Sequence, residues 1–129
     1  WSALGCRVVQ MSPESHDAAF AAISHLPHVL AFALMNSIAG QPNGQQFLDL
    51  AGPGFRDFSR IAAADPKVWR DICLANKTEL LEQSRQFQQA LQHFDQLITS
   101  GDAQALEQSI AQGSTLRADW HMTTHKPTH

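Results

Sequence analysis

The sequence predicts an all-α fold, a helical bundle with long helices, on three observations. Ser12 and Asp65 each stand directly before a proline. That is a helix start, because the polar side chain caps free N–H groups while proline, which has none to leave unpaired, fits the first turn. Apolar residues then recur at helical spacing, most clearly Trp69, Ile72, Cys73, Leu80, Leu81, Phe87, Leu91, Phe94 and Ile98. No stretch alternates as a strand should, apart from a weak hint over Cys6 to Met11.

The elements follow in order. WSALGCRVVQM opens on apolar residues without a cap and reads as the middle of something, so a fragment whose N-terminal partner is missing is expected. A helix starts at Ser12–Pro13, runs on to Ile38 and is closed by Gly40 and Pro42. Pro27 interrupts it: proline removes its own hydrogen bond and crowds the carbonyl four residues back, that of Ile23, so a kink or break is expected over Ser24 to Pro27. Asn43 is placed to cap a short helix over Gln45 to Ala51, and the glycines of AGPGF mark a turn. Phe55, Phe58 and Ile61 recur at spacing three and predict a short amphipathic helix over FRDFSRIAA. Asp65–Pro66 begins the longest helix, expected to run unbroken to Gly101. Asp102 caps a last helix to about Trp120, which puts the helical domain at residues 1–120 and a flexible tail at 121–129.

A chain of 129 residues that is 43% hydrophobic and 16% charged suits one folded unit. A net charge of −3 gives no general pull toward nucleic acid or an anionic membrane. The longest apolar run, Val29 to Met35, falls well short of the about 20 residues of a membrane span, so a soluble protein is expected, and two distant cysteines without a signal-like start make it a cytoplasmic one. Cys6 and Cys73 are expected as reduced thiols.

The stretch HDAAFAAISHLPHVLAFAL is apolar almost all round, so its helix must be covered on several sides. Part of that cover is expected from a second copy of the chain, with Ala18, Ala19, Ala21 and Ala22 allowing close backbone approach. The alternative is a monomer whose own bundle and missing N-terminal part cover it. Within the stretch His25 and His28 lie about 60° apart on an ideal helix, close enough to look into one cavity, while His16 lies about 180° from His25. Each histidine is also explained as a paired core donor. No HExxH, CxxC or carboxylate-plus-histidine set completes a metal site, and no metal is expected.

GPGFRDFSRIAAADPKVWRDI carries Arg56, Arg60, Lys67 and Arg70 among Asp57, Asp65 and Asp71. Arg56 and Arg60 share a helix face, Phe55 and Phe58 anchor the opposite one, and Asp57 is placed to hold Arg60. A guanidinium fork fits a carboxylate with two parallel hydrogen bonds. The same residues equally make an ordinary solvated face laced with i to i+3 and i+4 pairs.

Two motifs in order, HDxxxAxxSHLPHxxAxAL and GFRDFxRIAxxDPxxWRDI, closely resemble the C-terminal helical domain of prephenate dehydrogenases, including arogenate and cyclohexadienyl dehydrogenases, of tyrosine biosynthesis. The resemblance covers residues 1 to about 100; the last thirty residues carry no matching motif. It implies an intertwined homodimer, like the C-terminal domain of 6-phosphogluconate dehydrogenase. It also implies an N-terminal Rossmann domain, absent from this chain, that binds NAD or NADP, and oxidative decarboxylation of prephenate or arogenate to which tyrosine is a candidate inhibitor. No G-x-G-x-x-G follows a strand here, and the family's catalytic histidine belongs to the absent part, so no catalytic residue is expected in this fragment and the fragment alone is expected to be inactive.

Carried over by position, Arg60 corresponds to the residue that binds a substrate carboxylate and His28 to the one that positions the substrate side chain. His25 and His16 are expected near the site, and Asp57 and Trp69 border it. Ser59 stands where threonine is usual, and Lys67 and Val68 precede the tryptophan where methionine is often found; neither departure alters these roles. The competing reading is a freestanding helical module that senses aromatic acids without catalysis.

Overall fold

Ser12 caps the first helix as its position predicts, its side chain accepting from the N–H of Ser15. The computed structural model describes residues 2–4 and 8–122; Cys6 and most of the HMTTHKPTH tail lie outside the described residues. Val8 to Met11 form no regular structure, and no strand occurs among the described residues.

Pro13–Phe20 is α1, followed by a π turn over Ala21–His25 and then by α2, Leu26–Ala39. The proline is thus absorbed without a break. The N–H of Leu26 reaches back five residues to the Ala21 carbonyl, and this widened turn makes room ahead of Pro27. The perturbation predicted for Ser24 to Pro27 therefore begins earlier and spreads over a full turn. Taken through the turn, Pro13–Ala39 forms one helical rod of 27 residues, long and apolar enough by length and composition to cross a bilayer. The expectation drawn from the short run Val29 to Met35 is corrected to that extent. The rod nevertheless carries His16, Asp17, His25 and His28, groups that are costly in hydrocarbon.

Gly40 ends α2, and α3 covers Gly44–Asp49. Asn43 stands at its N-terminus, but its side chain makes no capping bond, contrary to expectation. The tight packing there falls on Gly44, where a Cβ would lie 2.1 Å from the Ile38 carbonyl oxygen, so only glycine fits. Helix α4, Pro53–Ser59, runs into a 3-10 turn over Arg60–Ala63, and both pack against α2. Phe58 does not anchor this segment: it is 60% exposed, whereas Phe55 is half-buried.

Asp65 caps α5, Pro66–Ala75, by accepting from the N–H groups of Lys67 and Val68. The long helix expected from here to Gly101 is interrupted. Asn76, at φ −110° and ψ 37°, separates α5 from α6, Lys77–Ser100. Backbone bonds from Asn76 to Ile72 and from Leu80 to Asn76 continue across the joint, so it is a local distortion and not a loop. Its cause is the Asn76 side chain, which is bonded elsewhere in the fold. Gly101, at φ +68°, makes the left-handed turn that ends α6, and Asp102 caps α7, Ala103–Asp119, through the N–H of Ala105.

The chain divides into two compact units, one of Ser12–Arg85 and the other of Gln86–His129 with Trp1–Met11. In the first, Ala21, Leu26, Ala31 and Leu80 form the buried apolar core. In the second no described residue is buried, and Leu91, Ile98, Ile110, Leu116 and Trp120 are exposed.

Candidate functional site

The site is assembled within the first unit, where α2, α5 and the α5–α6 joint meet. His28 leaves α2 one residue after Pro27, and its Nδ1 donates to the Ser24 carbonyl at 2.8 Å. A carbonyl only accepts, so the neutral ring carries its proton on Nδ1 and presents Nε2 as an acceptor. The same ring stacks on the indole of Trp69 at 3.6 Å between centroids and 18° between planes. Trp69 also receives His25 edge-on at 6.1 Å and Phe32 at 6.3 Å. The tryptophan of WRDI and both histidines of SHLPH are therefore brought together by α5 packing against α2.

His25 is held from its other side by Asn76, whose Nδ2 lies 2.8 Å from the Asp17 carbonyl oxygen and 3.2 Å from His25 Nδ1. Burial pushes the His25 pKa below its ordinary value, helped by the neighbouring His16 and His28 and opposed by Asp17. The nearness of His16 is a consequence of the π turn. Nine residues on an ideal helix put His16 and His25 on opposite faces, but one extra residue in the turn reduces the angle to about 80°. His16 itself donates from Nδ1 to Asp17 at 3.1 Å and stacks on Phe20, with its side chain half in solvent.

Beside the aromatic cluster lies a cavity of about 520 Å³ lined by Phe32, Met35, Asn36, Ala62, Trp69 and Cys73 among others. Burial raises the Cys73 pKa, so this wall offers a neutral thiol. Arg60 sits on the 3-10 turn that supplies Ala62 to the wall, yet it is exposed and does not itself line the cavity. Asp57 does not hold Arg60; it pairs with its neighbour Arg56 at 3.2 Å. Arg70 pairs with Asp71 at 2.7 Å and Arg85 with Glu82, while Arg117 lies over Trp120. Among the described arginines, only Arg60 has neither a carboxylate nor a ring to hold it. The pairs at Arg56 and Arg70 link sequence neighbours, not the i+3 and i+4 partners expected.

The profile of the prephenate dehydrogenase dimerization domain matches residues 12–112. The chain belongs to this family. A cyclohexadienyl dehydrogenase of Zymomonas mobilis is 33% identical over 91% of the chain and 41% of its own length. Among solved structures, the arogenate dehydrogenase of Synechocystis superposes with a TM-score of 0.85 at 29% identity, covering 93% of this chain and 44% of that one. The prephenate dehydrogenase of A. aeolicus, in complex with hydroxyphenyl propionate and NAD+, gives 0.79 at 38% identity over 87% and 40%. The chain thus spans less than half the length of these prephenate dehydrogenase relatives. The all-α reading and the family reading of the two motifs both hold.

The described residues of this family member include no strand and no glycine-rich turn leading from one into a helix, the elements of a dinucleotide-binding βαβ unit. No group of three or more His, Cys, Asp or Glu side chains among them is placed to hold a metal ion. Asn76 and Phe32 were missed by sequence reasoning. Asn76 had a signal, a residue of poor helix propensity inside an otherwise strongly helical run; Phe32 had one too, four residues beyond His28 on the same face.

Proposed function

We propose that this chain is the dimerization and substrate half, residues 1–120, of a cytoplasmic homodimeric dehydrogenase of tyrosine biosynthesis. The enzyme oxidatively decarboxylates prephenate to 4-hydroxyphenylpyruvate, or arogenate to tyrosine, with NAD or NADP bound mainly outside this chain. A hydride leaves the ring carbon that bears the hydroxyl, the ring carboxylate departs as carbon dioxide, and the ring becomes aromatic. The residues of this chain contribute binding and orientation. Arg60 takes a substrate carboxylate, His28 positions the substrate side chain through Nε2, and His25, His16, Asp57 and Trp69 border the bound molecule.

The observation that carries this reading is the meeting of both family motifs at one place, His28 face to face with Trp69 at 3.6 Å. Arg60 supports it as the described arginine left with neither an internal carboxylate nor a ring, the condition for receiving a substrate carboxylate. The exposed apolar residues of α6 and α7 support the homodimer.

Calorimetric titration of the enzyme containing this chain with prephenate and with hydroxyphenyl propionate tests the site. Binding is expected to weaken sharply in Arg60→Ala and in His28→Ala. Undiminished affinity in both variants would remove the pocket from this face, and tight binding without turnover in the presence of NAD+ or NADP+ would favour the sensing module.

A further inference from the structure

Asn76 is the one buried polar residue among those described, 9% exposed, and it sits where two helices would otherwise be one. Its amide nitrogen contacts two groups distant in sequence, the Asp17 carbonyl and His25 Nδ1. The carbonyl can only accept, which fixes the amide with its nitrogen toward both groups; the flipped amide would set oxygen against oxygen. The second amide proton therefore points at His25 Nδ1, which must be unprotonated to receive it. Neutral His25 then carries its proton on Nε2, the opposite tautomer to His28. A protonated His25 would face N–H with N–H, a penalty added to that of burial.

Resting on the substrate reading above, we infer that Asn76 is a positioning residue of the site: it holds His25 as the Nε2–H donor against Trp69, beside His28 as the Nε2 acceptor. The two imidazoles that touch one indole thus carry opposite tautomers, a donor and an acceptor, the pair of groups that recognises a hydroxyl, keto or carboxylate group. The distorted α5–α6 joint is the structural cost of that arrangement. The groups that act electrostatically on His25 are His16, Asp17 and His28.

The test is a two-bond 1H–15N spectrum of the full chain labelled at histidine, followed over pH. Wild-type His25 is expected to show the Nε2–H pattern and to titrate below the ordinary histidine value of about 6.5. In Asn76→Asp the carboxylate cannot donate but can accept from Nδ1–H, so the His25 midpoint is expected to rise above that value and its neutral form to shift toward Nδ1–H. A wild-type His25 in the Nδ1–H form overturns the inference without any variant. So does an unchanged His25 in a folded Asn76→Asp chain. Adding hydroxyphenyl propionate to the wild type tests the substrate reading separately, since silence of both His25 and His28 would reject that reading while the tautomer data still decide the role of Asn76.

Discussion

The two compact units solve the same problem, an apolar helix surface, by different means. In Ser12–Arg85 the chain covers part of its own surface and ties polar groups together across long sequence separations, as Asn76 does with Asp17 and His25. In the unit from Gln86 onward nothing described is buried, and polar ties such as Thr99 to the Asp95 carbonyl and Ala105 to Asp102 are local. The first unit fixes a site from within. The second carries apolar side chains that one chain alone does not satisfy. Under the proposed homodimer, this contrast assigns site geometry to intramolecular packing and assembly to the exposed apolar surface of the second unit.

The contrast can be broken most strongly on the assembly side. Ile98→Asp combined with Leu116→Asp removes two apolar side chains from each copy, a loss of about 6–12 kcal/mol per dimer at the usual value of burying such residues. Sedimentation velocity is expected to show a monomer; a surviving dimer would place the interface elsewhere. On the site side, Arg60→Ala is expected to lower kcat/KM of the dehydrogenase for prephenate by about 2–5 kcal/mol, the range for removing one partner of a buried charge pair. Its Tm should hardly move, because Arg60 has no internal partner to lose. A fall in Tm with unchanged kcat/KM would reverse that assignment.

Gly44→Ala probes the first unit's own packing. The added methyl meets the Ile38 carbonyl at 2.1 Å, and the chain is expected to lose about 1–3 kcal/mol, read by denaturant unfolding. The smallest effect is on pH. His25 has a folded pKa below its unfolded one, so the folded state binds fewer protons between the two values. This contribution to stability is complete above about pH 6.5 and is lost as pH falls toward the lower, folded value. Thermal unfolding should therefore show a decline in Tm on acidification that flattens in His25→Gln; an identical slope in the variant would mean that another group is responsible.

Much of the fold was legible because its signals are local. Ser12–Pro13, Asp65–Pro66 and Asp102 each start a helix through a bond to a backbone group two or three residues away, and the structure forms all three. The same locality made Pro27 visible as a disturbance. Whether it produced a break or a π turn depended on what surrounds it, and the sequence placed the kink too late. The uninterrupted helix expected through Asn76 failed for the converse reason: periodicity registers apolar spacing, whereas the joint is made by one amide reaching residues more than fifty positions earlier.

The sequence by itself determined the helical class, the helix starts and, through two motifs, the family. Those depend on residue type and spacing along the chain. Tertiary structure alone decided that His28 and Trp69 stack, that Asp57 pairs with Arg56 and leaves Arg60 unheld, and that Asn76 fixes the His25 ring. Directional contacts between distant segments are settled by which faces the packed helices turn toward each other, and a single extra residue in the π turn rotates those faces.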